Sequence, residues 1–355
     1  MKKSFRKIVL VLAAISFLFG ACKKEKQIVT DDNNIANPYE TGVFIVNEGP
    51  FQTGTGTISF LNRSTKVVKQ DIFNLENNRP LGNIAQSMTI FNDKAYIVVN
   101  NAGKVEVVNT KTFKSVGVID GLNLPRFFVG VNSTKGYLSD WSGNISVINL
   151  TSNTVLSTIN VGGSPDKMII SGGKVYVIGS AGFTSDSTFH IINITNDTKI
   201  NTLIIGDNPS DLVSDVNNKI WIICGGISDW NTPSNNTNAT LVKFNPSTDS
   251  IEMTFDLGST NFGAKIAINA AKTKIFYTLS NGVYEMDVNN PVINPQPFIG
   301  KSFYAIGFDN VEGYLYGADP KDYSGNGWVY RYNSTNASAV DSFKVGIIPT
   351  GFTFN

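Results

Sequence analysis

The chain has 355 residues, with 29 Lys and Arg against 28 Asp and Glu, a formal net charge of +1 and only 16% charged residues. That balance, with no basic tract, excludes nucleic acid as a partner on electrostatic grounds. Two cysteines, Cys22 and Cys224, give no disulfide framework.

Residues 1–21 read as a leader. Lys2, Lys3, Arg6 and Lys7 form a basic start, and Ile8–Phe19 is an apolar run, shorter than the roughly 20 residues of a membrane span. Gly20-Ala21-Cys22 follows. Small residues before a cysteine at this distance match a bacterial lipobox, so Cys22 is the expected lipidated N-terminus of the mature chain. An ordinary cleaved signal is the competing reading, and the position of Cys22 at the cleavage point favours lipidation. Acyl chains at about 0.8 kcal/mol per buried CH₂ would then anchor the chain to a bilayer. Removing residues 1–21 leaves 25 basic residues against 28 acidic ones. Residues 22–40 are polar and aperiodic, and read as a flexible tether.

From residue 41 to 355 the pattern changes. Short runs rich in Val, Ile and Tyr alternate with Gly, Asn, Asp and Ser, the signature of strands and tight turns. Pro165–Gly206 holds four such runs: Lys167–Ile170, Lys174–Ile178, Phe189–Ile194 and Lys199–Ile205. Its second run carries an aromatic residue, and that mark recurs. It appears at Val43-Phe44-Ile45, Ala95-Tyr96-Ile97, Gly136-Tyr137-Leu138, Val175-Tyr176-Val177, Ile220-Trp221-Ile222, Ile275-Phe276-Tyr277 and Leu315-Tyr316-Gly317. Seven marks spaced roughly 40 to 55 residues apart indicate a repeat architecture. Four antiparallel strands per unit make it an all-β, seven-bladed β-propeller.

Third runs end in Asn or Asp, as at Asn109, Asn149, Asn193, Asn245, Asp287 and Asn333. These side chains can satisfy the backbone of a turn into a fourth strand. The first module offers only Val43–Asn47, Thr57–Leu61 and Lys66–Phe73 as strands and lacks an inner one. The segment Pro349–Asn355 resembles the inner-strand opening Pro165–Ile170. The C-terminal strand is therefore expected to complete the first blade and shut the ring.

Long insertions fall between second and third strands, at Glu48–Gly56, Gly179–Thr188, Gly225–Ala239 and Asp319–Asn326. Ligand contacts concentrate on such loops when a rigid scaffold holds them. Phe51, Trp141, Phe183, Trp230, Tyr323 and Trp328 would supply an apolar floor on that face, or else pin the loops to the blades. Glu48, Asn101, Arg126 and Asp166 would supply polar contacts. Gln86, Arg126, Asp166, Asp211, Lys265 and Tyr304 are expected near the axis, where their mixed signs could meet amide or phosphate groups, or pair with one another. The single histidine, His190, lies in a third strand and offers no triad or His-rich metal site. Cys224 reads as a small core residue. No catalytic group or metal site is expected.

The repeat Lys174–Val177, Ile191–Asn193, Ile204–Pro209 resembles the YVTN repeat of YncE-like propellers. The opening Gly42–Gly49, behind a lipidated cysteine and a short tether, is similar to the surface propeller lipoproteins of Bacteroidetes. That resemblance implies an outer-membrane, surface-exposed lipoprotein, and a monomer is expected. It also implies a cofactor-like ligand, cobalamin or another corrinoid, handed to a TonB-dependent outer-membrane transporter. Asp186-Ser187-Thr188 and Asp249-Ser250-Ile251 resemble the O-glycosylation sites of that phylum. Two other readings remain: a protein–protein scaffold with a flat upper face, and a lactonase- or lyase-like enzyme with an acidic metal cluster at the channel mouth.

Overall fold

The computed structural model describes residues 37–182, 184–261 and 263–355. The leader, Cys22 and most of the tether lie outside the described residues, as does Phe183. The described chain forms seven antiparallel sheets in a ring, a seven-bladed β-propeller. Inner strands of successive blades lie against each other all the way round, the last meeting the inner strand of the second blade.

Each blade packs both faces against neighbours, so its middle strands have no solvent side. That explains why the second strands are continuous apolar runs rather than alternating ones. Lys94–Val99, Lys174–Gly179 and Ile220–Cys224 are buried at every position except the leading lysines. The aromatic marks Tyr96, Tyr137, Tyr176, Trp221, Phe276 and Tyr316 are all core residues, and each hydrophobic cluster draws on two adjacent blades. The outermost strands, by contrast, are largely exposed, as in Thr198–Ile204.

The turn chemistry follows the Asn/Asp pattern. Asn109 Oδ1 accepts from the backbone N–H groups of Lys111 and Thr112, Asn149 Oδ1 from Thr151, and Asn193 Oδ1 from Thr195. Asx turns of this kind fix the third-to-fourth strand hairpins.

The ring closes as the sequence indicates. Pro349–Phe354 pairs antiparallel with Gly42–Asn47, making the inner strand of the first blade. Phe352 and Phe354 lie against Tyr316 of the seventh blade, with ring centroids 5.6 and 5.3 Å apart. Gly307 makes room for them: a Cβ there would sit 2.9 Å from the Phe352 ring. Arg63, in the first blade, reaches Asp309 of the seventh through two bonds of 2.8 and 3.1 Å and also donates to the Asn355 carbonyl. Both partners of that ion pair are buried.

Two local expectations need correction. Lys66–Phe73 is not one strand. Only Val68–Lys69 pairs, and Ile72–Asn77 is a short helix. Ile72 and Phe73 are adjacent and both fully buried. Successive strand residues point to opposite faces, so on an outer strand one of them would face water, whereas a helical turn buries both. The sixth blade has three strands, Ile266–Ile268, Lys274–Leu279 and Gly282–Asp287. Its fourth position is reduced to one bridge, Val283 to Ile299. The intervening Pro291, Pro295 and Pro297 lack the N–H groups a ladder needs.

Candidate functional site

The inner strands of the second to fifth blades begin at Ala85, Pro125, Pro165 and Pro209, and that of the first at Pro349. Proline is tolerated at a strand's first residue because its missing N–H costs no ladder bond there. Immediately after it the register slips in all five blades. Ala85 and Ser87 face the adjacent residues Val99 and Val98, leaving Gln86 unmatched. Ser210 is the extra residue in the fifth blade and Thr350 in the first. In the third and fourth, two residues, Arg126-Phe127 and Asp166-Lys167, oppose one. A β-bulge re-aims the side chain it carries. Every one of these residues lines a single central cavity of about 960 Å³. Lys265 and Tyr304, each one residue ahead of its blade's inner strand, complete the circle.

The polar groups of this funnel are largely committed to each other. Arg126 Nε donates to Asp166 Oδ2 at 3.0 Å, and its Nη1 bonds Gln86. The Arg126 guanidinium lies 3.7 Å from the centroid of Trp141. The Trp141 indole N–H and the Ser180 hydroxyl both donate to Asp166 Oδ2, at 3.1 and 3.0 Å. Trp141 thus fixes both members of the Arg126–Asp166 pair, one by cation–π contact and one by hydrogen bond. Lys167 Nζ meets Asp211 Oδ1 at 2.6 Å. On the rim, Asp319 receives Lys321 and Lys301 at 2.8 and 2.9 Å, which hold its carboxyl down to about 2 against the opposing effect of burial.

Two charges stand apart. Glu48, one residue past the first blade's second strand, receives the Tyr304 hydroxyl at 3.3 Å. Burial pushes its carboxyl above the usual range, and Thr350, Arg126 and Tyr304 only partly offset this. Lys265 lines the cavity from the sixth blade. Burial, and then the neighbouring Lys167 charge, push its ammonium below the usual lysine range.

Of the residues singled out from sequence, Glu48, Phe51, Gln86, Arg126, Trp141, Asp166, Asp211, Lys265, Tyr304 and Tyr323 line this one cavity. Three others do not. Trp230 is 92% exposed on its loop. Asn101 is bound to Asn83 at 2.7 Å in an exposed contact, and Trp328 sits inside the third strand of the seventh blade, opposite Asp319. Sequence reasoning missed Phe127, Lys167, Ser210 and Thr350. The signal for them is the dipeptide after each inner-strand proline, where a bulge turns both residues, or the extra one, toward the axis.

His190 is buried between Thr188 and Thr202, with ring nitrogens 3.1 and 3.0 Å from their hydroxyls. Cys224 is buried, and its thiol is pushed up to about 12 by that burial. Among the described residues no three His, Cys, Asp or Glu side chains converge as a metal-holding group.

Residues 41–354 match the family described as Domain of unknown function (DUF5074), and the chain belongs to that family. No curated protein matches it. Among solved structures, it is similar to a Quinonprotein alcohol dehydrogenase-like protein of Bacteroides thetaiotaomicron VPI-5482. The TM-score is 0.67 at 14% identity, over 89% of this chain and 78% of that one. It is also similar to Kuenenia stuttgartiensis Hydrazine Synthase, with a TM-score of 0.54 at 12% identity, over 73% of this chain and 85% of that one. At these identities the likeness is one of fold.

Proposed function

We propose that this member of the DUF5074 family is a binding protein of the cell envelope, lipid-anchored through Cys22, that holds a cofactor-sized ligand in its central funnel. The ligand is a corrinoid such as cobalamin, and the acceptor a TonB-dependent outer-membrane transporter. Both follow from the resemblance of Gly42–Gly49 and the YVTN-type repeats to the surface propeller lipoproteins of Bacteroidetes.

One observation carries the reading: side chains from all seven blades, five of them set by bulges, line one cavity of about 960 Å³. Small-molecule sites are concave, of about 300–1,000 Å³, with apolar walls and a few placed polar groups. Here Phe127, Phe128, Phe303, Tyr304 and Phe352 give the walls, and Arg126, Asp166, Lys265 and Glu48 the polar groups. A scaffold calls for a flat upper face instead. The bulges also preorganise the site, which lowers the ordering cost of binding.

The test is calorimetric titration of the full chain with cyanocobalamin. Saturable heat and a raised melting midpoint are expected. A folded chain that gives neither removes corrinoid capture.

A further inference from the structure

Most charged side chains in and around the funnel have an ion-pair partner, two lysines sharing the one carboxylate of Asp319. Arg126 is held by Asp166, Lys167 by Asp211, and Lys321 and Lys301 by Asp319. Glu48 and Lys265 are left. Among the described residues, neither makes an ion pair within 4.0 Å, and no hydrogen bond engages the Lys265 ammonium. The Lys265 charge acts on Glu48 along with that of Arg126. Both line the one cavity, from the first and sixth blades, without meeting as an ion pair.

A charge taken partly out of water without a partner is costly. Fixing two opposite ones on a rigid wall, short of contact, prepares a place for a group that satisfies both. Around Lys265 the nearby cations are Lys167 and Arg126 and the nearby anions Asp211 and Asp166. Those four cancel, which leaves this side of the funnel one positive charge in excess. At Glu48 the Tyr304 hydroxyl occupies one oxygen and the Thr350 side chain bonds the carboxylate as well, which accepts only and has lone pairs to spare.

We infer that the ligand is dipolar: an oxyanion, phosphate or carboxylate, seats on Lys265, and a hydrogen-bond donor, an ammonium, amide or hydroxyl, seats on Glu48. This rests on the funnel being the binding site and adds the chemical class of what enters it. Charge-assisted hydrogen bonds are the strong ones, so these two contacts set orientation while the aromatic wall supplies contact area.

The test uses the full chain and three probes: inorganic phosphate, acetate and phosphoethanolamine. Wild-type chain binds the oxyanions and binds phosphoethanolamine more tightly than phosphate. Lys265→Gln weakens every probe by about tenfold or more, and Lys265→Arg restores the affinity to within about threefold. Glu48→Gln removes the advantage of phosphoethanolamine and spares phosphate. Melting curves confirm that each variant is folded. Phosphate binding that is absent from wild type, or equal in folded wild type and Lys265→Gln, overturns the inference. Loss of phosphate binding in Lys265→Gln alongside silence toward cyanocobalamin supports the dipolar site and removes the corrinoid. Equal cyanocobalamin affinity in both chains, with no phosphate effect, supports capture and removes the site.

Discussion

The first and sixth blades are the two irregular ones: the first keeps four strands although it joins both ends of the described chain, and the sixth has three. The first is assembled from the two ends of the described chain yet keeps its inner strand complete, Pro349–Phe354 on Gly42–Asn47. The sixth keeps a short inner strand, Ile266–Ile268, and gives up its outer one for the single Val283–Ile299 bridge. Inner strands carry the contacts that close the ring and line the funnel, so the position must be filled. Outer strands bury little, as the exposed Thr198–Ile204 shows, and one can be lost at small cost. The same two blades supply Glu48 and Lys265, the pair of charges left unmatched by the rest of the wall.

The largest effect is expected at the C-terminal latch. Deleting Pro349–Asn355 exposes the edge of Gly42–Asn47 and removes Phe352 and Phe354 from the core around Tyr316. Both rings are partly buried, so each contributes a share of the about 1.5–3 kcal/mol of a fully buried phenylalanine, and with a whole unpaired edge the loss is about 5 kcal/mol, comparable with a whole domain's stability. A cooperative, soluble, monomeric chain with an unchanged melting midpoint would contradict the closure. Next in size is Arg63→Ala, which leaves Asp309 buried without its charge partner between the first and seventh blades. A loss of about 3–5 kcal/mol is expected in urea unfolding.

His190 gives a smaller, pH-gated effect away from the latch. Burial lowers its folded-state value to about 4. The unfolded chain therefore takes up the proton first. Stability is complete above about pH 6.5 and falls by roughly 3 kcal/mol as the pH drops through 4. His190→Gln should flatten the part of the stability curve between pH 6.5 and 4.5. An unchanged slope there would show that the ring is not held neutral. Smallest is Val292→Asp, in the exposed segment that stands where the sixth blade's outer strand would be. Its effect stays within about 0.5 kcal/mol, and a larger loss would mean that this segment contributes to the core after all.

The ring was legible because its signals are local and repeated. Tyr96, Tyr137, Tyr176 and Trp221 mark second strands because only a strand buried on both faces tolerates such continuous apolar runs. Asn109, Asn149 and Asn193 mark turns through their own hydrogen bonds. The split first blade followed from Pro349–Asn355 looking like Pro165–Ile170. Less legible was the helix Ile72–Asn77, whose paired apolar residues resemble a strand end until burial on both sides is considered. The bulges depend on cross-strand register, which no single segment encodes, so Phe127, Lys167, Ser210 and Thr350 went unseen while Arg126 and Asp166 were found. Loop aromatics were the weakest guide: Trp141 and Trp230 look alike in sequence, but one stacks on Arg126 and the other stands in solvent.

Hydrogen exchange of the full chain with and without cyanocobalamin is the decisive measurement on the funnel, because it locates the ligand as well as detecting it. A ligand held in the funnel slows exchange at the bulged inner-strand openings, residues 84–89, 126–129, 166–168 and 210–212, and around Lys265 and Tyr304. Protection confined to the outer part of the 225–239 loop, or no change anywhere, would contradict a funnel that binds.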